Sequence, residues 1–204
     1  MRRFKVIGVI GALAAAMAFG APAAAQKMSE SFEFLKAVKD RDGNKVNAAL
    51  NRPGSTVVNA RDLSTGENAL HFVTRRRDAI WLRFLIAKGA NPNLADRQGV
   101  TPLQLAVNLG WQDGVLILTK AGAAIDEPNQ TGETPLITAI HRRDVELVRA
   151  LLKAGANPDR SDNSGRTARD YAELLGPQSA ILAELDRARA ERKARAAKSY
   201  GPGA

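Results

Sequence analysis

An all-α solenoid of about five stacked helix-turn-helix-hairpin units, with degenerate units at both ends, is the fold this sequence predicts. Three observations predict it. Four stretches, Asn68-Ala69-Leu70-His71, Thr101-Pro102-Leu103-Gln104, Thr134-Pro135-Leu136-Ile137 and Thr167-Ala168-Arg169-Asp170, open 33 residues apart. The first three are followed, 21 residues after they open, by Gly-Ala at Gly89, Gly122 and Gly155. A glycine also stands two residues before every opening, at Gly66, Gly99, Gly132 and Gly165. Self-similarity at one fixed period marks an array in which each unit contacts mainly its neighbours.

Each element of the unit follows from residue chemistry. Thr101, Thr134 and Thr167, and Asn68 in the first copy, are N-cap types whose side-chain oxygen accepts an orphan helix N–H. Pro102 and Pro135 follow at the first helical position, where the missing N–H costs nothing. The next Leu and the small residue at Ala106, Ala139 and Ala172, or Val73, give the short helix one apolar face. A second helix is clearest in Asp144–Leu152, where Leu147, Val148, Leu151 and Leu152 recur at helical spacing. Gly155 supplies the left-handed residue that ends it. Asn157-Pro158 and Ser164-Gly165 read as the extended turn into the next copy.

This pattern resembles the ankyrin repeat, whose period and T-P-L-H-x-A core it shares. On that basis the units run over about 31–62, 63–95, 96–128, 129–161 and 162–186. The first unit is degenerate: Phe32, Phe34, Leu35 and Val38 supply one helix and Asn44 to Leu50 the next, followed by an insertion, Asn51–Thr56. In the last, Gly176-Pro177 stops the first helix and Ile181, Leu182 and Leu185 form the apolar face of the second. Terminal repeats are atypical because one side faces water. In the Thr101 copy, Gly114 and Thr119 stand where the next copy has Leu147 and Leu152, so this copy reads as the weakest. Gly114→Ala is expected to stabilise it, unless packing needs the gap.

The N-terminus reads as an address. Arg2, Arg3 and Lys5 precede an apolar run from Val6 to Gly20, and Ala23-Ala24-Ala25 is a small-residue cleavage site. That is the layout of a secretory signal peptide over 1–25, with cleavage after Ala25 and a short linker at 26–30. The run is shorter than the roughly 20 residues of a spanning helix. The expected location is the periplasm of a bacterium or its exterior. With no cysteine, the chain has no disulfide, thiolate nucleophile or Cys-based metal site. The formal net charge is +9, and removing Arg2, Arg3 and Lys5 leaves +6. Most of that lies in 187–204, a basic helical extension and tail carrying Arg187, Arg189, Arg192, Lys193, Arg195 and Lys198. Such a segment is either a solvated helix or a contact for an anionic membrane surface. No nucleic-acid motif is present.

Catalysis has little to stand on. Of two histidines, His71 occupies the motif's own His position, and no carboxylate is placed by any motif to orient His141. No G-x-S-x-G, H-E-x-x-H, P-loop or EF-hand spacing occurs. The expectation is no enzyme, no cofactor and no metal.

The resemblance implies a surface for a protein partner, made of hairpin tips and the exposed side of the first helices. Carried onto this chain, the tips are Ser64, Thr65 and Glu67; Arg97, Gln98 and Val100; Gln130, Thr131 and Glu133; Asn163, Ser164 and Arg166. The helix positions are Arg75 and Arg76, Asn108 and Leu109, His141 and Arg142. Two of these three pairs are basic, with Arg77 and Arg143 adjacent. The expected groove is therefore positive, either as a solvated helix face or as forks for a carboxylate-bearing partner. Trp81 and Trp111 are expected to pack. The expected role is that of a scaffold, inhibitor, immunity factor or assembly aid, monomeric by preference. The alternatives are a secreted effector binding a host or competitor protein, and surface association through the tail.

Overall fold

A computed structural model of the chain describes residues 23–199, with side chains from 28 to 195. The cationic and apolar parts of the expected leader, and residues 200–204, lie outside the described residues. Ten α-helices pair up along the described chain. They are α1 (Ala23–Lys39), α2 (Gly43–Leu50), α3 (Ala69–Arg75), α4 (Ala79–Ala87), α5 (Pro102–Asn108), α6 (Gln112–Lys120), α7 (Pro135–His141), α8 (Val145–Lys153), α9 (Ala168–Glu173) and α10 (Ala180–Ser199). Among the described residues there is no β-strand, only isolated bridges at the hairpins, Arg61 to Asn68 and Ser161 to Thr167.

The odd-numbered helices stack as an inner row, each on the next, and α4, α6, α8 and α10 stack behind them. The core lies between the rows. Leu70, Leu103 and Leu136 are buried along the inner row, and Leu82, Leu85, Val115, Leu118, Leu147 and Leu151 along the outer. The small positions Val73, Ala106, Ala139 and Ala172 are fully buried, which lets neighbouring inner helices approach. The expected caps are all made. Asn68, Thr101, Thr134 and Thr167 accept from the backbone N–H three residues on, and Asp42, Asp78 and Asp144 do the same for α2, α4 and α8.

Several local readings change. Residues 26–30 are the continuation of α1 rather than a linker, and the expected cleavage point falls within its first turn. At the other end α10 runs unbroken through residue 186, so the extension continues the last repeat's second helix. Phe32, on one helix with Phe34, Leu35 and Val38, is exposed while those three are buried.

Gly114 departs from expectation as well. An added Cβ there would sit 2.1 Å from Cε3 of Trp111. Trp111 occupies the N-cap position of α6, makes no capping hydrogen bond and is buried. Its indole fills the space that Leu147 fills one repeat later. Packing does need the gap, and the expected gain from Gly114→Ala is withdrawn. Trp81 is half-buried in α4, edge-on to Phe84 with ring centroids 5.7 Å apart.

The turn between paired helices needs one left-handed residue. Gly110 and Gly176 provide it in two repeats, but Arg41, Arg77 and Arg143 hold φ of 59°, 56° and 56° in the others. A side chain there costs about 1–2 kcal/mol in backbone strain, partly offset by the greater unfolded-state freedom of glycine. Arg143→Gly is therefore expected to stabilise the fold by about 0.5–1 kcal/mol. A thermal melt would show it as a rise of about 2 °C, and an unchanged or lower midpoint would contradict it.

Candidate protein-binding surface

The hairpins are shaped by one recurring residue. Asp62, Asp96, Asn129 and Asp162 each accept from backbone N–H groups at their tip: Oδ1 of Asp96 from Gln98 (2.8 Å) and Val100 (2.9 Å), and Oδ1 of Asp162 from Ser164 (2.8 Å) and Arg166 (3.1 Å). The Ser64 hydroxyl and the Ser64 and Thr65 amides hold the Asp62 carboxyl well below the usual carboxylate range. For Asp162 the largest cause is the Tyr171 hydroxyl, which donates to it at 2.6 Å.

Successive hairpins are then bonded to one another. The Arg97 amide donates to the Thr65 carbonyl (2.9 Å), the Gln130 side chain to the Arg97 carbonyl (2.9 Å), and the Asn163 side chain to the Gln130 carbonyl (3.1 Å). Gln130 and Asn163, expected as partner contacts, are joints of the stack. Ser64, Thr65, Gln98, Thr131, Ser164 and Arg166 remain on the exposed tips, and Val100 is half-buried.

On the inner helices the structure divides the expected site differently. Arg75 pairs with Glu67 of its own repeat, and His141 Nδ1 lies 3.4 Å from Oε1 of Glu133. A tip residue one before the opening thus meets a helix residue seven after it. The same register places Val100 with Asn108 and Arg166 with Leu174. His141 also packs edge-on against Tyr171, with ring centroids 4.4 Å apart. Sequence reasoning passed over Tyr171, and its only signal was a polar aromatic one repeat past Thr138.

The second residue of each basic pair points elsewhere. Arg76 Nη1 donates to the carbonyls of Val38 (2.7 Å) and Lys39 (3.1 Å) at the end of α1. Arg142 Nη1 donates to the carbonyl of Asn108 (2.7 Å), and Arg77 to that of Leu109, so two guanidinium groups close the end of α5. These are orphan carbonyls at a negative helix terminus, and a cation satisfies both the hydrogen bond and the dipole. In the groove expected to be positive, Arg75 is paired with Glu67, and Arg76, Arg77 and Arg142 are spent on carbonyls of the neighbouring repeat. Leu109, half-buried, packs against the core.

This division gives a clean contrast. Arg76 is half-buried, with Nε and one terminal nitrogen shielded from water. Arg76→Ala is expected to cost about 2 kcal/mol, the range for lost hydrogen bonds to a charged group. Arg75→Ala, at an exposed pair, should stay within about 0.5 kcal/mol of the parent. Urea titration of the two variants checks this, and equal stability losses would contradict it.

Among the described residues no group of three His, Asp or Glu side chains is placed to hold a metal ion. What the surface offers is a row of exposed polar tips beside a row of short helices on a rigid stack, a geometry suited to contact with another macromolecule.

Comparison with known proteins agrees with this architecture. Residues 23–129 match the model described as ankyrin repeats (3 copies), and residues 116–172 match that described as ankyrin repeats (many copies). Among curated proteins, a stretch of 84 residues, 40% of this chain, is 32% identical to oxysterol-binding protein homolog 1 of Saccharomyces cerevisiae. That match spans 7% of the yeast protein's length. Ankyrin repeats indicate a protein–protein interaction module. With over half of its length matched by one family model, the chain belongs to the ankyrin-repeat family.

Proposed function

We propose that this chain is a non-catalytic, exported interaction module that holds a protein partner of the bacterial envelope against its hairpin tips and inner helices. The observation that carries the reading is the register of exposed tip and helix residues on a stack whose joints are otherwise saturated. Side chains outside the arginine and hairpin clamps, chiefly Arg75, Asn108, Gln98, Thr131 and Arg166, form the contact surface together with His141, whose ring also meets Tyr171 of the next repeat. The leader layout at Arg2 to Ala25 supports export. The absence of cysteine fits a fold that needs no disulfide in an oxidising compartment. No helix among the described residues is long and apolar enough to cross a membrane.

Two measurements test it. Fractionation with N-terminal sequencing should find the protein outside the cytoplasm, beginning at Gln26. Affinity capture from envelope fractions should enrich one protein with the parent and lose it with Arg75→Ala/His141→Ala, a pair that leaves the arginine and hairpin clamps intact. A partner retained by that variant but lost on truncation after Leu185 would assign binding to the basic helix instead. Recovery of the protein in the medium would favour a secreted effector.

A further inference from the structure

The N-terminal end of the inner face differs from the rest of it. Every other inner helix starts at a hairpin, and in α3, α5 and α7 its capping residue is buried. In α1 the helix itself runs on past that point, and Phe32 stands at the place that Asn68 fills in the next repeat. Three large apolar side chains come together there with most of their surface in water: Met28 (54% exposed), Phe32 (64%) and Leu63 (69%). Leu63 belongs to the first hairpin, which is one residue longer between its Asp and its Gly than the hairpins that follow. Together with buried Leu35 these residues line a cavity of about 500 Å³ in the crook between α1 and the hairpin. Scattered exposed apolar residues are ordinary, whereas a contiguous group lining a concavity marks a binding site.

The charge around it is one-sided. Lys36, Lys39 and Arg61 line the same cavity, with Asp62 as the one carboxylate among its lining residues. Oδ1 of that carboxylate is taken by Ser64 and Thr65, its Oδ2 forms an exposed pair with Lys39 Nζ at 3.5 Å, and Arg61 donates to the carbonyls of Gly66 and Ala95 while keeping its charge at the rim. The acids of α1 that could have neutralised the rim, Glu30 and Glu33, lie on the other side of the helix in the cleft toward α2, where Glu30 pairs with Arg52 at 3.4 Å. Lys36 spends its charge only on an exposed pair with Asp40, which a better-placed carboxylate can displace.

We propose that this crook docks an acidic segment of a partner protein that carries a large apolar side chain, the side chain entering between Phe32 and Leu63 and its flanking carboxylates meeting Lys36, Lys39 and Arg61. This rests on the protein-binding reading above and names the chemistry of the partner. A second copy of the chain is a poorer occupant, because a two-fold contact would bring two basic rims together.

The test uses protein purified from cells expressing the full chain and three fluorescein-labelled decapeptides. One is acidic with a central Phe, one acidic with Ser in its place, and one has the same Phe flanked by lysines. Anisotropy should show binding of the first alone. Leu63→Ser and Phe32→Ser, both at exposed positions, should each weaken it at least tenfold with an unchanged melting curve, and Lys36→Glu/Lys39→Glu should abolish it. Arg75→Ala/His141→Ala should leave it unchanged, which separates this pocket from the rest of the surface. No binding of the acidic Phe peptide, equal binding of all three, or loss only in Arg75→Ala/His141→Ala would overturn the assignment. So would sedimentation showing a dimer, or association with phosphatidylglycerol vesicles, that Leu63→Ser abolishes.

Discussion

Replacing Gly114 by alanine is expected to lower stability, by about 1–2 kcal/mol, although it exchanges the second-worst helix former for the best. Helix propensity alone favours the change by about 1 kcal/mol. Against it stands a methyl group placed 2.1 Å from the Trp111 ring, and overpacking of a buried site costs about 1–3 kcal/mol. The indole has little room to retreat, because it is itself buried. The sharper experiment exchanges the pair. Trp111→Asp alone should cost about 3 kcal/mol, since the loss of a buried aromatic outweighs a restored cap worth about 1 kcal/mol. Gly114→Leu alone should be at least as damaging. The double variant recreates the Asp144 and Leu147 pairing of the next repeat, where the Asp side chain accepts from the Leu147 amide at 3.1 Å. It should therefore be more stable than either single variant, with a coupling energy of about 2–3 kcal/mol. Chemical denaturation of the four proteins measures it, and additive losses would show that Trp111 and Gly114 do not act as a unit.

That pair shows where the sequence was legible and where it was not. The period, the caps and the buried faces could be read because each is a local pattern repeated in register. Thr101, Thr134 and Thr167 say the same thing three times. Trp111 and Gly114 say something once, and each departs from the pattern. Judged separately, glycine is a weak point and tryptophan a packing residue, and only the distance between them shows one compensating the other. The arginines failed to read for a different reason. Arg75 and Arg76 are adjacent and chemically identical, yet one meets a tip carboxylate and the other reaches carbonyls 37 and 38 residues away. Helical spacing tells which side of a helix a residue leaves from, not whether a neighbouring helix ends within reach. The exposed Phe32 follows from the same limit. Spacing within α1 groups it with Phe34, Leu35 and Val38, and spacing cannot tell which of the four finds a neighbour to cover it.

The clamps also bear on what can vary. A solenoid holds together only as well as its weakest interface between repeats, and here the interfaces of α5 with α3 and with α7 are tied at both ends of the inner helices. Arginines close the C-terminal ends, and the hairpin bonds lie at the N-terminal ends. The residues left over are the ones free to change without loosening the stack, which is why the proposed contact surface is smaller than the exposed surface.

His71 is the joint whose loss should cost most. It is fully buried. The Asn68 amide donates to its Nδ1 at 3.2 Å, which leaves the Nε2 proton to donate to the Val100 carbonyl of the next repeat at 2.9 Å. His71→Leu keeps the bulk but strands the buried Asn68 N–H and leaves the Val100 carbonyl with the Asp96 amide alone, for about 2–4 kcal/mol, at about 1–3 kcal/mol for the stranded donor and about 1 kcal/mol for the lost hydrogen bond. His71→Gln should cost far less, because Gln104 performs the same donation one repeat later, to the Glu133 carbonyl at 2.9 Å. The two also part company with pH. Burial pushes the His71 imidazole below its ordinary value of 6.5, against smaller opposing effects of the Val100 hydrogen bond and of Asp96 and Glu67. A group whose folded value is depressed binds its proton more readily when unfolded, so its contribution is complete above pH 6.5 and declines as the pH falls below that. The parent should therefore lose stability between pH 7 and 5 more steeply than His71→Gln, which has no proton to bind there. Parallel denaturation curves for the two proteins across that range would mean that the imidazole titrates as freely in the fold as out of it, and the joint at Val100 would have to be redrawn.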